Sequence, residues 1–508
     1  MNPKRAAVVL PVLFAGACMV GPNYRKPAAP VPAAYKELAE KQAAVGLTWK
    51  AARPNDAAGR GEWWEAFGDP DLNVLEEQVS VSNQSILAAE AQYRGARALV
   101  ASVRSALFPT LGVGPSATRS SGITNQSTVP GQPAPAITTL EVPVELNWQI
   151  DLFGRIRRGV QASVASAQAT AADLEGVRLA MHAELALDYF TLRGLDAQID
   201  LLDKTVVGYR TTLTLTENRF KQGVVSGVDV AQARTQLDAT LAEVTDLRLS
   251  RAQVEHALAV LVGKPPAELS VAAAPIQVAL PAVPVGLPSE LLERRPDIAA
   301  AERRMAAANA QIGVAVAGYF PTLSLSGLGG YEGPKLANLF SLPNRIWSLG
   351  ASLFETIFAG GARRAAQRQA EAAYDATVAG YRQTVLTAFQ QVEDNLAALR
   401  ILAEEARYQA DAVSEAELAL KLANNRYMNG VTSYLEVVTA QTTALANEQL
   451  AVQLLTRQLG ASVSLIAALG GGWQVSDLAN LDAAPADSPS PAKKGSSAAG
   501  AAPPRASR

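Results

Sequence analysis

Residues 139–158 read TLEVPVELNWQIDLFGRIRR. From Leu140 to Leu152 apolar and polar residues alternate, with Leu140, Val142, Val144, Leu146, Trp148, Ile150 and Leu152 on one face. Glu141, Glu145, Asn147, Gln149 and Asp151 fall on the other. A period of two is that of a strand. At about 3.3 Å per residue the run is long enough to cross a bilayer at the usual barrel tilt. Its polar face carries the carboxylates of Glu141, Glu145 and Asp151, which need water behind them. A soluble antiparallel strand with one solvated face has the same alternation. Phe153-Gly154-Arg155 then closes the strand, and the Ala/Gln/Leu-rich stretch that follows has a helical period with no proline until Pro265. The pattern predicts a membrane strand that runs straight into a very long helix.

The chain has 508 residues, 49% of them hydrophobic, with 45 basic and 47 acidic side chains. That leaves room for several domains and excludes a disordered or collagen-like polymer. No basic block stands out, so nucleic acid is not an expected partner. Cys18 is the single cysteine, and no intramolecular disulfide can form. His182 and His256 stand apart in helical stretches with no second ligand at a metal spacing, and read as ordinary helix residues. The five methionines are scattered, which argues against a copper or silver relay. Gly263-Lys264 lacks the preceding glycine of a phosphate loop, and no nucleophile elbow occurs. The expectation is a chain that is not an enzyme and needs no cofactor and no metal.

Lys4 and Arg5 precede a short apolar run, so residues 1–17 read as a secretory signal peptide. The junction Ala15-Gly16-Ala17-Cys18 suits ordinary cleavage through Ala-x-Ala, but a lone cysteine directly after small residues favours lipidation of Cys18. Residues 18–62, with Pro22, Pro27, Pro30 and Pro32, read as a lipidated, extended tether. A first structural unit spans 63–264. Leu72, Val79, Ile86, Tyr93, Val100 and Leu107 fall at successive sevens, the mark of one helix packed in coiled-coil fashion. Pro109 in Phe108-Pro109-Thr110-Leu111 stops that helix and a strand begins, followed by a loop over residues 116–138. After Arg155, Leu185, Leu192, Ile199, Val206 and Leu213 hold the sevens to about Lys221, a helix of roughly 100 Å. Gly223 and Gly227 turn the chain, and Ala233, Thr240, Leu247, Val254 and Leu261 mark a return helix. Residues 265–290 form a proline-rich connector.

The same order then recurs over 291–470. Leu291, Ile298, Met305, Ile312 and Tyr319 lead into Phe320-Pro321-Thr322-Leu323, and a second descending strand carries Trp347, Leu349, Ala351 and Leu353 on one face. Val378, Val385, Val392, Leu399, Ala406, Val413 and Leu420 mark the second long helix. Asn425-Arg426-Tyr427 and Gly430-Val431 match Asn218-Arg219-Phe220 and Gly223-Val224 at the turn. The chain reads as a tandem duplication of helix, strand, loop, strand, helix, turn, helix, with a disordered tail over 471–508. Two units supply too few strands for a barrel of about eight or more, so the barrel must be shared between chains. Long helices continuing from its strands extend a wet lumen away from the membrane.

Several motifs in this order resemble the outer-membrane efflux factor family of TolC-like channels, in its NodT-type lipoprotein branch. They are Cys18-Met19-Val20-Gly21-Pro22-Asn23-Tyr24, Trp63-Trp64 with Phe67 and Asp69, both Phe-Pro-Thr-Leu junctions, residues 287–298 (LPSELLERRPDI) and Ala468-Leu469-Gly470-Gly471-Gly472-Trp473. The resemblance implies a mainly α fold with transmembrane β: a homotrimer sharing a twelve-stranded β-barrel, continued by a periplasmic α-helical barrel. It implies an outer-membrane exit duct for drugs or other small molecules, with a periplasmic adaptor protein and a proton-driven resistance-nodulation-division pump of the inner membrane as partners. A type I protein-secretion duct and a non-conducting envelope lipoprotein are the alternatives. By the same resemblance the hairpin turns form a periplasmic gate in which Tyr427 contacts Asp229 between the hairpins, while Leu435 and Glu436 face the axis. Thr439 stands where the family often has an acidic ring residue. Trp148 and Trp347 are expected at the two edges of the outer-membrane lipid, or filling space between protomers.

Overall fold

The computed structural model describes residues 19–32, 35–39, 62–121, 136–276, 280–281 and 291–472. The signal peptide, Cys18 and Trp473 lie outside them. After a one-turn helix α1 (Lys36–Ala39) and a 3-10 turn (Trp63–Phe67) come α2 (Pro70–Ser82) and α3 (Gln84–Ser105). Strands β1 (Thr110–Val113), β2 (Ser116–Ser120) and β3 (Ile137–Ile150) follow, then α4 (Arg155–Lys221) and α5 (Gly227–Leu261). The second half holds α6 (Leu291–Arg294), α7 (Pro296–Ala317), β4 (Thr322–Gly333), β5 (Arg345–Phe354), α8 (Ala362–Met428) and α9 (Tyr434–Ala468). Element lengths match across the halves: 22 residues for α3 and α7, 67 for α4 and α8, 35 for α5 and α9.

Three sequence expectations change in detail. The sevens from Leu72 to Leu107 run through two helices, because Asn83 takes an extended conformation and caps the second. Its Oδ1 accepts from Ser85 N and Ile86 N, while its Nδ2 donates to Leu261 O at 2.8 Å. The expected loop from 116 begins as strand: β2 pairs antiparallel with β3, Ser116 opposite Glu141 and Ser120 opposite Ile137. Gly114 and Pro115 only interrupt the rising strand, since proline has no N–H for the ladder. The descending strand ends at Ile150, so Asp151 is not on its wet face. Asp151 serves the helix instead, accepting from Ile156 N at 3.1 Å and from Arg157 N at 2.9 Å.

The strands form one antiparallel sheet in the order β1-β3-β4-β5, with β2 continuing β1 along β3. Trp148 stands opposite Leu325, and Gly329 opposite Trp347. Both outer edges are open, and apolar side chains are left bare: Leu349 at 81%, Ile357 at 98% and Phe358 at 88% exposure. Such a surface is seated in lipid or against another chain. Among the described residues α9 is also long and apolar enough to cross a membrane, yet it packs along α8 and α4.

The main core lies where α2 and the 3-10 turn cover the middle of α4, joining Trp63, Trp64, Phe67, Leu185, Tyr189 and Phe190. The start of the connector docks there too: Arg193 and Arg251 clasp Asp196, and their guanidinium groups donate to Ala272 O and Val271 O. The described part of the expected tether is likewise a docked strap. Val20 N donates to Phe153 O, Arg158 donates to Val20 O and Gly21 O, and Asn309 donates to Pro22 O. Gly21, at φ +88°, approaches so closely that a Cβ would lie 2.5 Å from Gly313 Cα. Tyr35 is buried beside Phe389, and Glu37 pairs with Arg400 at 2.6 Å. Apolar burial and backbone hydrogen bonds override the extended, proline-rich composition that reads as free linker.

Candidate functional site

The hairpin tips follow from a common local code. Each long helix ends on a polar C-cap residue, Gln222 or Asn429, followed by glycine at positive φ (Gly223, +72°; Gly430, +71°), which lets the chain reverse. Ser226 or Ser433 then opens the return helix from an extended conformation. Side chains diverge from there. In the first tip Asp229 turns back on Ser226, its carboxylate accepting from Ser226 N at 2.9 Å and Oγ at 3.1 Å, the acidic half of a capping box. In the second, Glu436 accepts from Thr432 Oγ1 and pairs with Arg426 Nη1 at 2.8 Å.

The expected contact between Tyr427 and Asp229 is not made, because Asp229 is held by its own cap. The Tyr427 hydroxyl is buried without a hydrogen-bond partner. Its ring packs 5.3 Å from that of Tyr434, in a cluster with Ala233, Ala423 and Val437. Arg219 crosses from the first hairpin to lie over the ring at 4.7 Å and donates to Tyr427 O at 3.5 Å. Burial pushes the Tyr434 phenol up to about 12, with Tyr427, Tyr209 and Asp229 nearby adding to the shift. Leu435 is exposed, as are Val224, Val228 and Val431. Glu436 is not a bare carboxylate, since Arg426 offsets it. Thr439 is exposed and its hydroxyl back-bonds to Leu435 O at 2.9 Å. Sequence reasoning missed Arg219 and Arg426 as partners. The Asn-Arg-aromatic repeat held that signal.

At the strand–helix junctions the two halves meet directly. Phe153 stacks on Phe320 with ring centroids 4.7 Å apart. Trp148 is half-buried and donates through Nε1 to Leu107 O at 2.9 Å, tying β3 to the end of the rising helix. Trp347 is 69% exposed.

His182 corrects another expectation, because it is not an ordinary helix residue. Its Nδ1 lies 2.6 Å from Glu76 Oε2, its ring stacks on Trp64 at 4.5 Å, and Ser80 Oγ faces Nε2 at 3.3 Å. Burial pushes the Glu76 carboxyl up to about 9 and, with Arg178 nearby, His182 down to about 4. One proton closes that hydrogen bond, and burial favours the neutral form of both groups. Among the described residues no group of three or more His, Cys, Asp or Glu is arranged to hold a metal.

An antiparallel sheet with open edges, fused at its ends to two long helical hairpins, defines a channel-forming envelope chain. The model of the outer membrane efflux protein family matches residues 75–264 and 287–471. A probable efflux pump outer membrane protein, SepC of Pseudomonas putida, is 32% identical over 474 residues, covering 93% of this chain and 98% of that protein. Outer membrane protein OprJ of Pseudomonas aeruginosa is 31% identical over 470 residues, covering 92% and 95%. Among solved structures, the outer-membrane channel OprN superposes with a TM-score of 0.81 at 33% identity, covering 90% of this chain and all 100% of that one. The Campylobacter jejuni CmeC channel, at 22% identity, shares the fold, with a TM-score of 0.84 over 92% of this chain and 98% of that one. The chain belongs to the outer membrane efflux protein family. It is an efflux channel protein of the outer membrane that extends into the periplasm.

Proposed function

We propose that three copies of the chain close a twelve-stranded barrel, and that the resulting tube is the passive exit duct through which a tripartite pump expels drugs or other small molecules. The observation that carries this reading is the pair of open sheet edges, at β1 with β2 and at β5. An open edge has no place in lipid, where each unpaired backbone group is strongly unfavourable, so the edges meet on neighbouring copies. The equal lengths of α3 and α7, α4 and α8, and α5 and α9 support reading the chain as two copies of one unit, 63–264 and 291–470. A periplasmic adaptor protein and an inner-membrane resistance-nodulation-division pump feed this duct.

In this reading the hairpin tips are the periplasmic gate. Leu435, with the glutamate–arginine pair behind it, faces the axis. Trp148 and Trp347 mark the lipid interfaces, and Cys18 carries the lipid that the strap delivers to the junction. Native mass spectrometry of detergent-extracted protein tests the assembly: the expected species is a trimer whose mass includes acyl chains at Cys18. A single-chain species overturns the shared barrel. In cells, loss of the gene is expected to raise retention of a fluorescent efflux dye severalfold, and unchanged retention overturns the efflux role.

A further inference from the structure

The charged residues of the sheet are sorted by face. Register sets Val142 of β3, Tyr331 of β4 and Arg345 of β5 side by side in one row, and Val144, Gly329 and Trp347 in the next row on the same face. That face is the apolar one. Arg119 of β2 lies on it too, because Ala117, two residues before, stands opposite Leu140, and side chains alternate along a strand. Glu141, Glu145 and Glu332 lie on the other face, with Glu141 directly opposite Glu332. Among the strand residues every carboxylate is therefore on the wet face and every guanidinium on the apolar face.

The chain supplies no anion for these two bases. Arg119 and Arg345 are exposed, and neither side chain has a hydrogen-bond or ion-pair partner among the described residues. No Asp or Glu occurs from Gly114 to Leu140 or from Gly333 to Phe354, where the charged residues are Arg119, Lys335 and Arg345. The strands of a second copy sort their charges in the same way, so they bring no carboxylate to this face either. Position fixes the medium. The long helices join the sheet at the opposite end, so the β2–β3 and β4–β5 connections lie on the outer side. From Leu353 to Arg345 the strand climbs about 27 Å, or about 20 Å of height at a tilt of about 40°. An apolar band is about 25 Å tall, so Arg345 stands at its outer limit, where a long side chain reaches the headgroups. Phe340 meets the neighbouring Tyr331 edge-on at 5.4 Å, an aromatic pair suited to that boundary.

We propose that the outer rim of the apolar face is a binding surface for a phosphorylated glycolipid of the outer leaflet, with Arg119 and Arg345 donating to its phosphate groups and Tyr331 and Trp347 lying along its acyl boundary. This rests on the barrel reading and adds the lipid that the wall selects and the residues that select it. A guanidinium offers two parallel N–H donors to a phosphate, which a bare apolar rim could not. The carboxylates on the wet face repel the same phosphates, so the anionic lipid is held outside the wall and kept from the lumen.

The test titrates bisphosphorylated lipid A into delipidated full-length protein in detergent, with native mass spectrometry reading oligomeric mass and bound lipid together. The parent is expected to bind this lipid about twentyfold more tightly than lipid A stripped of its phosphates. Arg345→Gln is expected to weaken binding about fivefold, and Arg345→Gln with Arg119→Gln about twentyfold, with no effect on the phosphate-free lipid. Glu332→Gln, on the wet face, is expected to leave both affinities unchanged, and a loss equal to that of Arg345→Gln overturns the assignment of faces. Equal affinity of the parent for the two forms of lipid A overturns the proposal, as does unaltered binding by the double variant. Phosphatidylglycerol is expected to bind about tenfold more weakly than lipid A, and equal binding overturns the glycolipid assignment in favour of a general attraction for anionic lipid. A trimer with no phosphate preference removes the lipid surface alone, whereas single chains overturn the shared barrel and this surface together. If the double variant does not assemble, Arg345→Gln is measured by itself, and an affinity equal to that of the parent overturns the proposal.

Discussion

At the first hairpin tip the acid closes on its own helix cap and the arginine leaves for the other hairpin. At the second, acid and arginine close on each other. Backbone and turn glycine are the same in both, so the difference lies in a few side chains. Asp229 is short enough to reach Ser226, while Glu436, one methylene longer, reaches Arg426 and the Thr432 hydroxyl. Phe220 is exposed, but its counterpart Tyr427 is buried and offers a ring that Arg219 covers. The first tip is thus self-capped and lends a hand, and the second receives it. A repeated sequence can preserve a backbone path while assigning its two copies unequal mechanical roles.

Tyr427→Ala should break the comparison most severely, since truncating a buried aromatic costs about 3–5 kcal/mol. Hydrogen exchange at the second tip is expected to accelerate, and single-channel conductance in planar bilayers to rise. Unchanged conductance would remove this tip from the closed end. Asp229→Ala removes the capping acid at an expected cost of about 1 kcal/mol, with faster exchange confined to the start of α5. Equal acceleration at both tips would mean that Asp229 does bridge the hairpins. Arg219→Gln, worth about 0.5–1 kcal/mol, sharpens the contrast because its effect is expected at the second tip and not in its own hairpin. The smallest change is expected from Glu436→Gln, since an exposed ion pair contributes about 1 kcal/mol or less and is screened by salt. Its readout is cation over anion permeability, expected to fall slightly, and a large loss of selectivity would show that Arg426 does not offset the carboxylate in the assembled channel.

Backbone architecture was readable because it rests on long periodic signals. Sevens sustained over dozens of residues, alternation over Leu140 to Ile150, and a repeated Phe-Pro-Thr-Leu junction leave few alternatives. Breaks decided by one side chain were not. Asn83 ends a helix through contacts to Leu261, nearly two hundred positions away in the chain, and no local pattern announces them. Residues 19–32 have the composition of a linker, and no local pattern announces the close backbone approach of Gly21 to Gly313. At the hairpin tips, residue types were readable but partners were not. Whether an aspartate caps, bridges or faces water depends on which hydroxyl, ring or guanidinium the fold brings within about 3–5 Å. His182 shows the same limit, because its acidic partner sits on another helix.

Two helices of 67 residues meet these tips, each roughly 100 Å long at 1.5 Å per residue. The first of these rods, α4, is gripped near its middle by the aromatic core around Trp63, Trp64 and Tyr189. Tilting it by one degree over half its length moves its end by about 1 Å, so a few degrees carry the tip past the reach of a hydrogen bond. Contacts worth under a few kcal/mol suffice to latch such an end, because they act where a small force has the longest arm.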